Sequence, residues 1–262
     1  IPAGPHSKNR CWNAISAGPS GVDGLGAPKG RALRADELPE IAALFARAAA
    51  NAVQVGFDAV ELHGAHGYLL DEFLWARTNR RTDGYGGSLA ARTRFPAEVV
   101  TAVRAAVGKD HPIVFRFSQW KGTDYAATVA DDPTELQEIL DPLVAAGVDV
   151  FHPSTRRHYA PAFPEHAPAL SLAGWTKKLS GLPVIAVGSV GLQTEFRGEA
   201  PGQVIDPAPV DRLVDQFGAG EFDVAAIGRA LLADPGWVNR LRDGRLDGFS
   251  GYHAETALAA LA

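Results

Sequence analysis

The sequence of 262 residues contains a single cysteine, Cys11, and no methionine. One cysteine excludes an intrachain disulfide framework, a multi-cysteine zinc site and a cysteine-ligated iron–sulfur cluster. Because translation starts at methionine, a chain that begins with Ile1 is expected to have a processed or trimmed start. The length by itself would allow one complete (β/α)8 barrel, which takes about 250 residues.

Long apolar runs and an excess of basic charge are also absent. No segment approaches the roughly 20 apolar residues that cross a bilayer, and the first residues do not have the pattern of a signal peptide. The formal net charge of −5 offers no basic surface for nucleic acid. Hydrophobic residues make up 46% and charged residues 21%, which is typical of folded globular chains. We therefore expect a cytoplasmic protein with no membrane and no nucleic-acid partner.

The pattern of the chain changes near residue 34. Ten of the first thirty residues are Gly or Pro, which predicts a long irregular loop over residues 1–34. Beyond it, helical spacing alternates with short apolar segments, and Asp36 and Asp132 stand where helices should begin. Strands that are apolar on both faces and alternate with helices are typical of parallel sheets in α/β proteins. The predicted strands are 57–63, 113–118, 148–154, 182–189 and 222–229.

Polar residues follow the first predicted strand, at the end where barrel enzymes carry their active sites. The strand ends in His63, and His66 and Tyr68 come directly after it. Two imidazoles and a phenol can polarise a carbonyl group and deliver a proton. Two other interpretations stay open on the pattern alone. The histidines could simply cap backbone groups, or they could bind zinc together with Glu61.

Strand alternation places Glu61 and Arg116 on the inward faces of neighbouring strands. The large apolar residues of the same strands then face the helices. An isolated charge in the interior costs a great deal of free energy, so we predict that these two side chains form a pair.

The last two predicted strands end in Gly188-Ser189 and Gly228-Arg229. Glycine lets backbone N–H groups approach a ligand, and a following helix N-terminus favours an anion. Barrels often bind a phosphate at these strand ends, but the glycines could equally make tight turns only. Three further residues in loops are candidates for lining a substrate pocket: Trp120, Tyr125 and His158.

Residues 56–95, GFDAVELHGAHGYLLDEFLWARTNRRTDGYGGSLAARTRF, resemble the old yellow enzyme family of FMN-dependent ene-reductases. Residues 186–191 and 225–237 support the match, and residues 151–163 are similar to a 12-oxophytodienoate-reductase-like subgroup. The resemblance implies an α/β TIM (β/α)8 barrel of old yellow enzyme type, of which this chain would contain only strands 4–8. The resemblance divides the chain into two regions. Residues 1–34 would be an irregular segment that follows the missing third strand, and residues 35–262 would be the C-terminal portion of a single barrel domain.

The resemblance also implies roles for matched residues. His63 and His66 would hydrogen-bond the carbonyl oxygen of an α,β-unsaturated substrate, and Tyr68 would donate a proton to its Cα. Arg116 would lie against the pyrimidine edge of the flavin, where its charge stabilises the reduced form. The FMN phosphate would be held by Gly188, Ser189, Gly228 and Arg229. The implied reaction is a ping-pong reduction of the C=C bond of an enone, with NAD(P)H reducing FMN first.

One alternative of another class is an inactive or flavin-free barrel fragment that acts as a scaffold, since three strands have no counterpart here. A second alternative is an enzyme of the larger dienoyl-CoA or trimethylamine-dehydrogenase branch. That branch needs an iron–sulfur cluster bound by several cysteines, and the single Cys11 argues against it. The expected partner is a small-molecule enone. Two arrangements of the chain stay open: a homo-oligomer, or a separate N-terminal fragment that completes the barrel.

Overall fold

The structure is a computed structural model that describes residues 16–195 and 204–259. Cys11 and the first part of the predicted loop lie outside the described residues. The chain divides into two compact units, which are Ile1–His152 with Leu179–Pro183, and Pro153–Lys178 with Val184–Ala262.

The first unit alternates helices with parallel strands. Its strands β3 and β4 pair in parallel, with Glu61 opposite Val114 and His63 opposite Arg116. The elements in chain order are β1 (Ala17–Gly18), β2 (Arg31–Ala32), α1 (Leu38–Gln54), β3 (Val60–His66), α2 (Leu69–Leu74), α3 (Leu89–Val107), β4 (Ile113–Lys121) and α4 (Pro133–Ala146), followed by β5 (Val150–Ser154), whose last two residues belong to the second unit.

The second unit also contains parallel strand pairs. Strand β6 pairs with β8, and Ser154 at the end of β5 lies opposite Val187. Its elements are α5 (Leu172–Ser180, with its last two residues in the first unit), β6 (Ile185–Val187), β7 (Val204–Ile205), α6 (Asp211–Gly218), β8 (Val224–Ala226), α7 (Arg229–Ala233), α8 (Trp237–Arg242), β9 (Tyr252–His253) and α9 (Ala254–Ala259).

The five predicted strands are confirmed as β3, β4, β5, β6 and β8, with different bounds. The largest difference is in β3, which begins three residues later than predicted and continues to His66. Residues 57–59 form an exposed irregular segment between α1 and β3, and Phe57 is 62% exposed. At the other end, pairing of His66 with Lys121 across a register shift extends the strand. The predicted strand end at His63 is therefore wrong by three residues.

Helix α4 begins where its sequence predicts. The Asp132 carboxylate accepts hydrogen bonds from the backbone N–H groups of Thr134 and Glu135, at 2.6 and 2.9 Å. Gly147 follows the helix in the left-handed conformation, with φ of 109°. Such caps depend on neighbouring residues only, which is why the sequence reveals them.

The predicted N-cap at Asp36 is wrong. This residue lies inside a short 3-10 turn, Ala35–Glu37, that precedes α1. The Glu37 carboxylate instead accepts the N–H of Arg34 at 2.8 Å and pairs with Arg31. A longer acidic side chain one position later satisfies the free N–H group at this helix start.

Two small pairings were not predicted. In the loop predicted over residues 1–34, β1 and β2 pair in parallel, and in the second unit β7 and β9 pair antiparallel. Each strand has two residues, which is too short for any alternation pattern to appear in the sequence. Within residues 16–195 and 204–259, no helix combines the length and hydropathy that crossing a membrane would require.

The predicted division of faces on β4 is confirmed. Ile113, Phe115 and Phe117 are buried, while Arg116 between the last two lies on the opposite face. Arg104 on α3 helps to fix the start of this strand. Its guanidinium donates to backbone carbonyls at the ends of α3 and α4 and to the Asp149 carboxylate: Gly108 O at 2.7 Å, His111 O at 2.9 Å and Gly147 O at 2.7 Å.

Candidate active site

The three side chains predicted to act on substrate lie together at the carboxyl end of β3. The His63 ring centroid lies 5.1 Å from that of His66 and 5.1 Å from that of Tyr68. Both imidazoles are half-buried, whereas Tyr68, directly before α2, is 62% exposed. The cluster therefore presents two shielded imidazoles and one accessible phenol.

The position of the second imidazole depends on an unusual backbone conformation. His66 has φ of 65° and Gly67 has φ of 85°. A left-handed conformation costs a residue with a Cβ about 1–2 kcal/mol, so surrounding contacts must compensate. The His66 N–H donates to the Ser118 hydroxyl at 3.0 Å, and the Gly122 N–H donates to the His66 carbonyl at 3.3 Å. The end of β4 therefore holds this turn from both sides of His66.

Both imidazoles are neutral at physiological pH. Burial, followed by the positive charge of Arg116, lowers the pKa of His66 to about 3. Burial, followed by the charge of Arg116, also lowers the pKa of His63 below its usual value. A neutral imidazole carries one N–H donor and one acceptor nitrogen. Each ring can therefore donate a hydrogen bond to a carbonyl oxygen without bringing a net charge.

Glu61 and Arg116 pair as predicted, and sequence reasoning missed a third member of the group. The Arg116 Nη1 atom lies 3.8 Å from Glu61 Oε1, whereas His152 Nδ1 lies only 2.7 Å from Glu61 Oε2. Burial alone would raise the pKa of Glu61, but the hydrogen bond and charge of His152 and the charge of Arg116 lower it overall. Glu61 is thus an anion that balances the charge of Arg116.

Two of the three loop residues named as candidates for lining a pocket join the cluster. Trp120 stacks on the His66 ring at 4.3 Å, and Tyr125 lies 5.8 Å from Trp120. The third candidate, His158, is 6% exposed in the second unit, and its Nδ1 lies 2.7 Å from Gln216 Oε1. A buried ring held this way does not line an open pocket.

The second unit brings together the residues predicted to bind phosphate. The Arg229 guanidinium donates to the Ser189 hydroxyl at 3.3 Å, and Ser189 itself has φ of 52°. A Cβ at Gly188 would come within 2.7 Å of the His158 nitrogen, so close packing requires this glycine. No heavy atom lies within 4 Å of a Cβ placed on Gly228, which is exposed before α7. The cluster thus offers a cation, a hydroxyl and an open glycine.

A metal site was an alternative for the two histidines. Across residues 16–195 and 204–259, no group of three or more His, Cys, Asp or Glu side chains is arranged to hold a metal ion.

A family model described as the NADH:flavin oxidoreductase / NADH oxidase family matches residues 5–248. The chain belongs to this family, which includes the old yellow enzymes. FMN, with NAD(P)H as its reductant, is the cofactor that membership implies.

Two relatives illustrate the match in sequence. Over 82% of this chain, it is 36% identical to an NADH oxidase of Thermoanaerobacter brockii and 34% identical to 12-oxophytodienoate reductase 7 of Oryza sativa subsp. japonica. The chain covers 31% of the first relative and 52% of the second, so it spans about half or less of their length.

A solved structure of morphinone reductase in complex with tetrahydroNAD shares the fold. The TM-score is 0.71 at 25% identity, over 93% of this chain and 63% of that chain. Together with the alternating helices and parallel strands, this likeness supports the α/β fold class and the old yellow enzyme type of TIM barrel.

Proposed function

We propose that this chain carries substrate and cofactor residues of an FMN-dependent oxidoreductase that uses NAD(P)H to reduce the C=C bond of α,β-unsaturated carbonyl compounds. The observation that carries the proposal is the cluster of neutral His63, neutral His66 and exposed Tyr68 at the end of β3. The 12-oxophytodienoate reductase and morphinone reductase relatives support it. We infer further that β3, β4, β5, β6 and β8 correspond to strands 4–8 of the barrel.

The chain's own residues supply binding and proton transfer. His63 and His66 donate N–H hydrogen bonds to the substrate carbonyl oxygen, which draws electron density from the C=C bond and makes the β-carbon electrophilic. Tyr68 then donates its hydroxyl proton to Cα. Its exposure lets the phenol recover a proton from water after each turnover.

The residues present fit FMN. When bound, FMN would supply the hydride-transfer chemistry between NAD(P)H and the β-carbon of the substrate. In the first unit Arg116 would supply positive charge for the pyrimidine edge of the flavin, and the Glu61 carboxylate, 3.8 Å from the guanidinium, would offset part of that charge. In the second unit the phosphate would be held by Gly188, Ser189, Gly228 and Arg229, which combine a hydroxyl, a guanidinium and the open start of α7.

Two measurements on the purified chain test this proposal. FMN is added and the free excess removed by gel filtration, after which a flavin absorbance band should stay with the protein. Enone-dependent oxidation of NAD(P)H should follow, and the corresponding saturated ketone, which has no C=C bond to reduce, is the control. A folded but colourless sample would contradict the proposal and favour the flavin-free scaffold. The elution volume also shows whether the chain is a homo-oligomer.

A further inference from the structure

A buried ion pair joins α2 to β4 beside the candidate site. Lys121 Nζ lies 2.7 Å from Asp71 Oδ1, and the two side chains are 0% and 1% exposed. Removing two charges from water is costly, and apolar residues of similar size often replace such pairs without loss of stability. Stability alone is therefore a weak reason for a pair at this position.

Each partner also holds backbone next to His66. The second Asp71 oxygen, Oδ2, accepts the N–H of Gly67 at 2.6 Å. Lys121 Nζ also donates to the carbonyl of Ser118 at 2.8 Å. Gly67 follows His66 in the chain, and the Ser118 hydroxyl accepts the His66 N–H at 3.0 Å. The ion pair thus connects the two backbone segments that bracket the left-handed conformation of His66.

We propose that Asp71 and Lys121 are positioning residues that fix the His66 imidazole and the Tyr68 phenol for enone reduction, an inference that rests on the function proposed above. Tyr68 is the next residue after Gly67, so the Asp71 contact to the Gly67 N–H sets where Tyr68 leaves the turn. Asp71 lies in the first turn of α2, where its charge also favours the free N–H groups of the helix start.

The same network extends to the aromatic wall of the cluster. The Ser118 hydroxyl donates to the Trp120 carbonyl at 2.7 Å, and the Trp120 ring stacks on His66. Lys121 follows Trp120 directly, so the ammonium group fixes the end of β4 on which that ring is carried. Loss of the pair should therefore loosen the His66 turn and Trp120 together.

A double substitution separates positioning from stability. Asp71→Leu or Lys121→Met alone leaves one buried charge without its counter-ion, so each single variant should melt at a lower temperature. The double variant Asp71→Leu/Lys121→Met removes both charges and should have a higher melting temperature than either single variant. It still lacks the acceptor for Gly67 and the donor to Ser118. The matched control is Asp110→Leu/Lys109→Met, which changes an exposed pair in the same way.

The decisive measurement is hydrogen exchange at the Gly67 amide, which requires neither flavin nor substrate. The Leu/Met double variant should exchange at least about tenfold faster than the parent chain, while the exposed-pair control stays unchanged. In Asp71→Asn/Lys121→Met, the amide oxygen of Asn accepts more weakly than a carboxylate, so exchange should be intermediate. This second double variant decides the question if the first does not fold. Exchange at the parent rate in either would overturn the proposal.

A kinetic split completes the test. In the double variants, reduction of substrate should slow by about tenfold or more while reduction of flavin by NAD(P)H is retained. If substrate reduction is also retained despite faster exchange, the pair holds the turn without positioning the reaction, and the inference is wrong. If the parent chain reduces no enone at all, the proposed function fails, whereas the exchange result still decides whether the pair holds the turn.

Discussion

Replacement of Tyr68 by Phe removes a single oxygen atom from the cluster. The side chain is 62% exposed, and its hydroxyl has no hydrogen-bond partner among the residues that the structure describes. Phenylalanine keeps the ring that lies 5.1 Å from His63. The free energy of unfolding should therefore change by no more than about 0.5 kcal/mol, as for other exposed substitutions.

The effect on the reaction should be much larger. A positioned general acid accelerates a step by about 10²–10⁴-fold, which corresponds to about 2.7–5.4 kcal/mol of the activation barrier. In the proposed reaction the Tyr68 proton is needed only when the C=C bond is reduced, so the two half-reactions should respond differently. Anaerobic stopped-flow absorbance measures each: reduction of bound flavin by NAD(P)H, and its reoxidation by an enone.

Tyr68→Phe should slow reoxidation by at least about a hundredfold and leave flavin reduction nearly unchanged. The control is Tyr85→Phe, which removes a phenol hydroxyl that contacts Glu98 instead of the cluster and should leave both half-reactions intact. Equal slowing of both half-reactions by Tyr68→Phe would refute the assignment of Tyr68 as proton donor. Reoxidation at the parent rate would refute it as well.

Three further predictions concern pH and stability. Because His66 is neutral, its imidazole NMR signals should not titrate between pH 5 and 8. Its pKa of about 3 in the folded chain lies below the unfolded value of about 6.5, so its contribution to the free energy of unfolding is fully present above about pH 6.5 and is lost as the pH falls toward 3. Asp132→Ala removes the cap of α4 and should cost about 1 kcal/mol in denaturant unfolding, whereas exposed Asp110→Ala should cost almost nothing. Arg104→Met removes the hydrogen bonds to the His111 and Gly147 carbonyls and to the Asp149 carboxylate, which should lower the free energy of unfolding by about 2 kcal/mol in the same measurement. An unchanged unfolding midpoint would contradict this interpretation of the hydrogen bonds.

The parts of the fold that sequence predicts are those set by short-range pattern. The apolar strands of the α/β repeat and the Asp132 cap depend on residues that are neighbours in the chain. The pairing of β1 with β2 and of β7 with β9 depends on contacts over longer separations between two-residue strands. Because no local pattern marks such short strands, the sequence predicts a loop over residues 1–34, where the structure has the pairing of β1 with β2.

The site divides in the same way. His63, His66 and Tyr68 lie within six residues of one another, so a single strand end explains their cluster. Alternation gives the correct face for Glu61 and Arg116, but strand register places Arg116 opposite His63. The side chains meet diagonally at 3.8 Å, and His152, 91 residues from Glu61, makes the shorter contact. The face on which a strand residue lies follows from the local sequence, whereas the residue that makes the shortest contact with it depends on the packing of distant segments.

The same distinction explains why the motif alone does not define the site. The spacing of the two histidines places both imidazoles near one point, but the second must adopt a conformation that its own residue type disfavours. Nothing in the sequence distinguishes Asp71 and Lys121 from ordinary surface charges. In the structure both are buried and hydrogen-bond to the backbone around His66. We therefore expect a chain that kept the two histidines and the tyrosine without this support to retain the three side chains but to lose the arrangement by which, as proposed, they act on one substrate.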